Sequence, residues 1–125
     1  MLLGDKNAIA TVPVRNIGKA KRFYEDVLGL KPVRDEMGKA IEYKSGSAEL
    51  LVYESQYAGT NKATAVTWIV DQVDKLVPEL KAKGVTFEHY DMPGITRQGD
   101  VHIAGHLKNA WFKDPDGNIL SVVSH

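Results

Sequence analysis

Two histidines four residues apart, His102 and His106, follow Asp100 and are the groups in this sequence best suited to moving a proton. Unperturbed imidazole titrates close to neutral pH, so either ring fits a general acid or base in a cofactor-independent lyase or isomerase. Gly99 and Gly105 argue against a helix that would set both rings on one face, and the plainer reading is a pair of solvated loop histidines. Asp100, His102 and His106 also offer metal-ligand chemistry, ranked below these two options. Cysteine is absent, which removes disulfides, thiolate nucleophiles and Cys-ligated metal centres and fits a reducing cytoplasm. Sixteen basic residues balance 16 acidic ones, so no nucleic-acid or anionic-membrane footprint is expected. The opening residues lack a cationic start followed by a long apolar core, and no apolar run approaches the ~20 residues of a membrane span. The expectation is a soluble cytoplasmic protein.

The elements that must position these groups recur twice. Ala8 to Val14 reads as a strand, and Asn16 as the cap of a helix about three turns long, with Ile17, Ala20, Tyr24, Val27 and Leu28 on its apolar face and Gly29 at its end. Three short strands follow near Lys31 to Arg34, Ala40 to Lys44 and Glu49 to Tyr53. After a polar connection, Ser55 to Lys62, the pattern restarts: a strand at Ala63 to Val70, a helix capped near Asp71 and stopped by Gly84, and a strand at Val85 to His89. Pro78 predicts an irregular first turn or a later start for this second helix. Asp91 to Gly105 reads as a long loop, and Leu107 to Phe112 with Ile119 to Val123 as a hairpin closed by Asp114-Pro115-Asp116-Gly117-Asn118. A shift of 56 residues lays Val14 on Val70 and Ile17 on Val73. The chain is therefore expected to be one α+β domain over 1–125, with βαβββ modules at about 7–54 and 63–125. Their strands would form a curved, mostly antiparallel sheet, with helices on the convex face and a ligand cleft on the concave face.

Val12 to Ile17, Phe23-Tyr24-Glu25-Asp26-Val27-Leu28-Gly29-Leu30, Lys83 to Phe87 and Phe112 to Asn118 together resemble the vicinal oxygen chelate superfamily of glyoxalases, bleomycin-resistance proteins and extradiol dioxygenases. The resemblance spans nearly the whole chain. In metal-dependent members it implies His or Glu at four concave-face positions, which carry over to Ile9, Leu50, Ala65 and Ser121. None of these is a ligand for a divalent ion, and only Glu49, beside Leu50, becomes one if the register slips by a residue. No metal or other cofactor is expected; a divalent metal stays as a disfavoured alternative. The resemblance also implies a homodimer, and leaves open whether each cleft forms within one chain or across two.

The same four positions would give a mostly apolar cleft floor. Trp111 faces opposite to Phe112 and points into the cleft if Phe112 packs under the helices; the alternative is an ordinary core tryptophan. Trp68 is expected in the core. Tyr57, Tyr90 and Asp91 sit on loops that either rim the cleft or order themselves by hydrogen bonding. The primary reading is a metal-free protein that binds an apolar or aromatic small molecule. The alternatives are the acid–base lyase or isomerase, a metal-dependent lyase or dioxygenase, and a purely structural interaction domain.

Overall fold

The computed structural model describes residues 2–125; Met1 of the opening segment lies outside them. Module one comprises β1 (Ala10–Val14), α1 (Ile17–Lys21), β2 (Lys31–Glu36), β3 (Ala40–Ser45) and β4 (Ala48–Glu54). Module two comprises β5 (Thr64–Ile69), α2 (Val73–Ala82), β6 (Phe87–Glu88), β7 (Thr96–Gln98), β8 (Val101–Ala104), β9 (Leu107–Lys113) and β10 (Ile119–Ser124). Sheet one has the order β1-β4-β3-β2, and sheet two the order β5-β10-β9-β8-β7, with β6 pairing the far end of β9. In each sheet the opening strand lies parallel to the closing one, and the remaining pairs are antiparallel. The repeated α+β plan is thus realised as two sheets, one per module.

Three segments depart from expectation. The stretch from Asp91 to Gly105 is not one loop, because it holds β7 and β8. Gly99 and Gly105, both with φ near +60°, occupy two-residue turns between β7, β8 and β9, where a positive φ matches the twist of the flanking strands. The first helix changes character half-way. Asn16 caps it by accepting from the Lys19 N–H at 2.9 Å, but Arg22–Val27 widens into a π-helical turn whose Phe23 carbonyl accepts from the Leu28 N–H. The wider turn lets the adjacent Phe23 and Tyr24 both bury their rings. In α2, Gln72 and not Asp71 occupies the cap position; Ser124 Oγ accepts from the Val73 N–H, and Pro78 is carried inside the helix.

One core joins the modules. Val12, Tyr43, Leu50 and Val52 of sheet one and Phe112, Leu120 and Val122 of sheet two pack with Ile17, Ala20 and Tyr24 of the first helix and Val77 and Leu80 of α2. Phe23 packs against Phe112 with centroids 6.4 Å apart, and Trp68 Nε1 donates across the module boundary to Ser45 Oγ at 2.9 Å. The helix-bearing faces of both sheets therefore share one core.

The Asp-Pro-Asp-Gly-Asn turn ties this arrangement together. Buried Asp114 accepts from the Asp116 and Asn118 N–H groups through Oδ1 and from the Tyr24 hydroxyl through Oδ2, at 2.7 Å. Burial first, and then the Asp114 charge, push the Tyr24 hydroxyl above its ordinary value, so it stays protonated and donates. Asn118 Nδ2 donates to the Pro13 carbonyl of β1. The linker docks on the same turn: Gly59 has φ +74°, and a Cβ there would lie 2.0 Å from the Asp116 carbonyl oxygen.

Candidate functional site on the open face of sheet two

With its helix-bearing side committed to the core, each sheet keeps one other, open face. Strand alternation decides which side chains reach it. On β9, Phe112 is committed to the core, so Trp111 and Asn109 point to the open face. On β10, Leu120 and Val122 are core, so Ser121 takes the opposite side, where it is buried beside Thr67 of β5. On β8, Val101 enters the core and His102 takes the opposite side.

These residues form an aromatic and polar cluster. The His102 ring meets Trp111 edge to face at 4.7 Å, and Tyr90 meets Trp111 edge to face at 5.4 Å. Trp111 Nε1 donates to Thr64 Oγ1 at 3.1 Å, which fixes the indole against β5. Thr67 and Ser121 share a 2.7 Å hydrogen bond between their hydroxyls. His102 is only 2% exposed, and its Nε2 accepts from the Tyr90 N–H at 3.0 Å. Accepting at Nε2 makes the ring neutral with its proton on Nδ1. Both His102 Nδ1 and its cross-strand neighbour Asn109 Oδ1 are buried without a hydrogen-bond partner. A donor beside two aromatic rings and an acceptor on the neighbouring strand thus lie unsatisfied, each omission costing about 1–3 kcal/mol.

His102 is therefore a strand residue in a packed cluster and not a solvated loop histidine. Gly99 and Gly105 disguise a four-residue strand. His106 stands exposed at the β8–β9 turn, outside the cluster. Tyr90 belongs to the cluster, whereas Tyr57 lies on the linker, 66% exposed.

The open face of sheet one differs. Leu50 does not floor a cleft: it is 3% exposed in the core beneath the first helix, with Val52, and this commits β4 to a register in which Glu49 takes the open face. Glu49, Ile9 and Glu42 line a recess of about 450 Å³ built by module one alone. A hydrogen bond with Glu49 raises the Glu42 carboxyl above its ordinary value. Ala65 is exposed on β5. At the positions where the superfamily resemblance implies metal ligands, Ile9 and Ala65 offer no donor, Leu50 is in the core and the Ser121 hydroxyl is bonded to Thr67. Glu49 and its hydrogen-bonded neighbour Glu42 are the carboxylates beside Ile9, and with no third protein donor this set does not fit a divalent ion. No group of three or more His, Asp or Glu residues placed to hold a metal occurs among the described residues.

Thr64, Thr67, Asn109 and Glu42 are site residues that the sequence reading did not single out. Asn109 had a signal, since it lies two residues before Trp111 on the same strand face.

The family model of the Glyoxalase/Bleomycin resistance protein/Dioxygenase superfamily matches residues 7–122. The chain belongs to this superfamily. Among solved structures it is similar to an integron cassette protein from the mobile metagenome of Halifax Harbour sewage outfall, at 17% identity and TM-score 0.73, covering 97% of this chain and 99% of that one. It is similar to lactoylglutathione lyase from Agrobacterium tumefaciens at 19% identity and TM-score 0.68, over 95% and 93% of the two chains. It also resembles TnmS3, an antibiotic binding protein from Streptomyces sp. CB03234, at 21% identity and TM-score 0.66, over 96% and 97%. At these identities the likeness establishes the fold. No curated protein sequence matches the chain. No helix among the described residues is long and apolar enough to cross a membrane.

Proposed function

We propose that this superfamily member is a metal-free cytoplasmic protein that binds a small aromatic molecule on the open face of sheet two. The observation that carries the reading is the buried, unsatisfied pair of His102 Nδ1–H, beside Trp111 and Tyr90, and its cross-strand neighbour Asn109 Oδ1. A flat ligand bearing one acceptor and one donor, entering as the Tyr90 ring swings aside, stacks on the indole and completes both hydrogen bonds. TnmS3, the antibiotic binding protein of similar fold, fits such use of it. The acid–base alternative gains no support from the geometry. The Nε2 lone pair of His102 is already occupied by the Tyr90 N–H, and His106 stands apart from the cluster.

Native mass spectrometry of protein purified without chelators, followed by identification of any retained molecule, tests this. An aromatic small molecule bound one per chain is expected, with affinity at least about tenfold weaker in Trp111→Ala, in line with loss of an aromatic contact and its buried area. Stoichiometric Mn, Fe, Ni or Zn in the purified protein, lost in Glu49→Ala, would overturn the metal-free reading.

A further inference from the structure

A second recess, of about 670 Å³, opens on the core side of sheet two, at the boundary between the modules. Its walls come from Leu28 and Leu30 after the first helix, Trp68 of β5 with Val70 after it, and Leu76 and Leu80 of α2. All but Leu80 are only partly buried, although each packs against the core, so apolar surface stays uncovered here. Lys31 and Lys44 border the recess, but strand register turns their side chains away from it. Tyr43 enters the core, so Lys44 takes the opposite face of β3, directly across from Glu49, and Lys31 pairs with Lys44 on that same face. The recess therefore has the volume of a small-molecule site, apolar walls and no charged side chain directed into it.

One polar side chain does face it. Ser45 lies two residues past Tyr43 on β3 and shares its side, and its Oγ accepts from Trp68 Nε1 at 2.9 Å across the module boundary. An indole N–H only donates, so this bond takes a lone pair of the serine oxygen and leaves the hydroxyl proton free to turn into the recess. No acceptor among the described residues receives that proton. The same bond keeps the indole in place as a wall, so Trp68 does not collapse into the space. We propose that this recess binds a neutral apolar molecule bearing one hydrogen-bond acceptor, a ketone on a hydrocarbon ring system, separately from the open-face site. The Ser45 hydroxyl donates to the ketone oxygen and the hydrocarbon covers the leucines. A charged head group finds no partner there and forfeits its hydration.

The chain has two tryptophans, so Trp111→Phe leaves Trp68 as the sole indole and its emission reports on the recess. Titration of this variant with camphor is expected to give a saturable change in Trp68 emission at one site per chain. Adding Ser45→Ala is expected to weaken camphor binding about fivefold, in line with loss of one neutral hydrogen bond. Bornane, the same skeleton without the carbonyl, is expected to bind both variants equally, which separates the lost hydrogen bond from any shift of the indole. Camphorsulfonate, the same skeleton carrying a charge, is expected not to compete. No saturable change with camphor, weakening of both ligands or of neither by Ser45→Ala, or competition by the sulfonate would overturn the proposal. Trp68 emission that responds to dilution of the protein but not to camphor would also overturn it, and would assign the recess to contact between copies of the chain.

Discussion

Asp100 shows how a polar residue at a turn acquires a structural role. It accepts from Lys81 Nζ of α2 at 2.9 Å and lies 2.7 Å from His89 Nε2. The Lys81 hydrogen bond first, and then that from His89, hold its carboxyl below the ordinary value of 3.8. A carboxylate whose folded value is depressed contributes stability that is fully present above the unfolded value and lost as pH falls through the folded one. Asp100→Asn is therefore expected to lower the urea midpoint at pH 6, with the difference from wild type shrinking as pH drops below about 4. Parallel urea titrations at pH 6, 4 and 2.5 check this. At the same scale, Trp111 was legible because Phe112 beside it is an evident core residue and strand neighbours face opposite ways. Glu49 and Leu50 were not, because β4 carries apolar residues on both faces, Leu50 and Val52 on one and Leu51 and Tyr53 on the other. Packing under the first helix chooses between those faces, and nothing local to the strand does.

Among elements, the linker and the closing turn are a matched pair. Gly59 touches the Asp116 backbone so closely, and at so positive a φ, that a methyl group has neither room nor an easy conformation. Gly59→Ala is expected to cost at least about 2 kcal/mol in chemical denaturation. Gly38→Ala, at a turn where a Cβ meets nothing within 4 Å, separates backbone strain from the clash and is expected to cost less. The βαβββ repeat itself was readable, since helix and strand periods, capping Asn16 and the glycine stops all agree. The β7–β8 hairpin was hidden because three- and four-residue strands between glycines carry too few alternations to stand out from a loop. The π-helical turn was equally silent: Phe23 and Tyr24 fit an ordinary amphipathic helix until both rings must enter one core.

At the scale of the molecule, one core binds both modules and the two open faces stand apart, each with its own cluster: Glu42 and Glu49 on one, and Trp111, His102 and Tyr90 on the other. In a homodimer, a cleft built across two chains would bring one face of each kind together. The expected state is a homodimer, and light scattering coupled to size exclusion should return twice the chain mass; a monomer at micromolar concentration would remove the two-chain cleft. The closing strand also sets an order in time. Ala10 pairs with Leu50 and Val66 with Leu120, so each sheet waits for contacts between residues far apart in the chain. Asn118 then bonds Pro13, and Asp114 bonds Tyr24, so even the first module lacks its last ties until residues beyond 113 are available. A nascent chain released as far as β4 holds the strands of its first sheet but not the turn that locks it. That leaves the aromatic rings of Phe23 and Tyr24 without their final partners through much of synthesis, the interval in which association with other chains competes with folding.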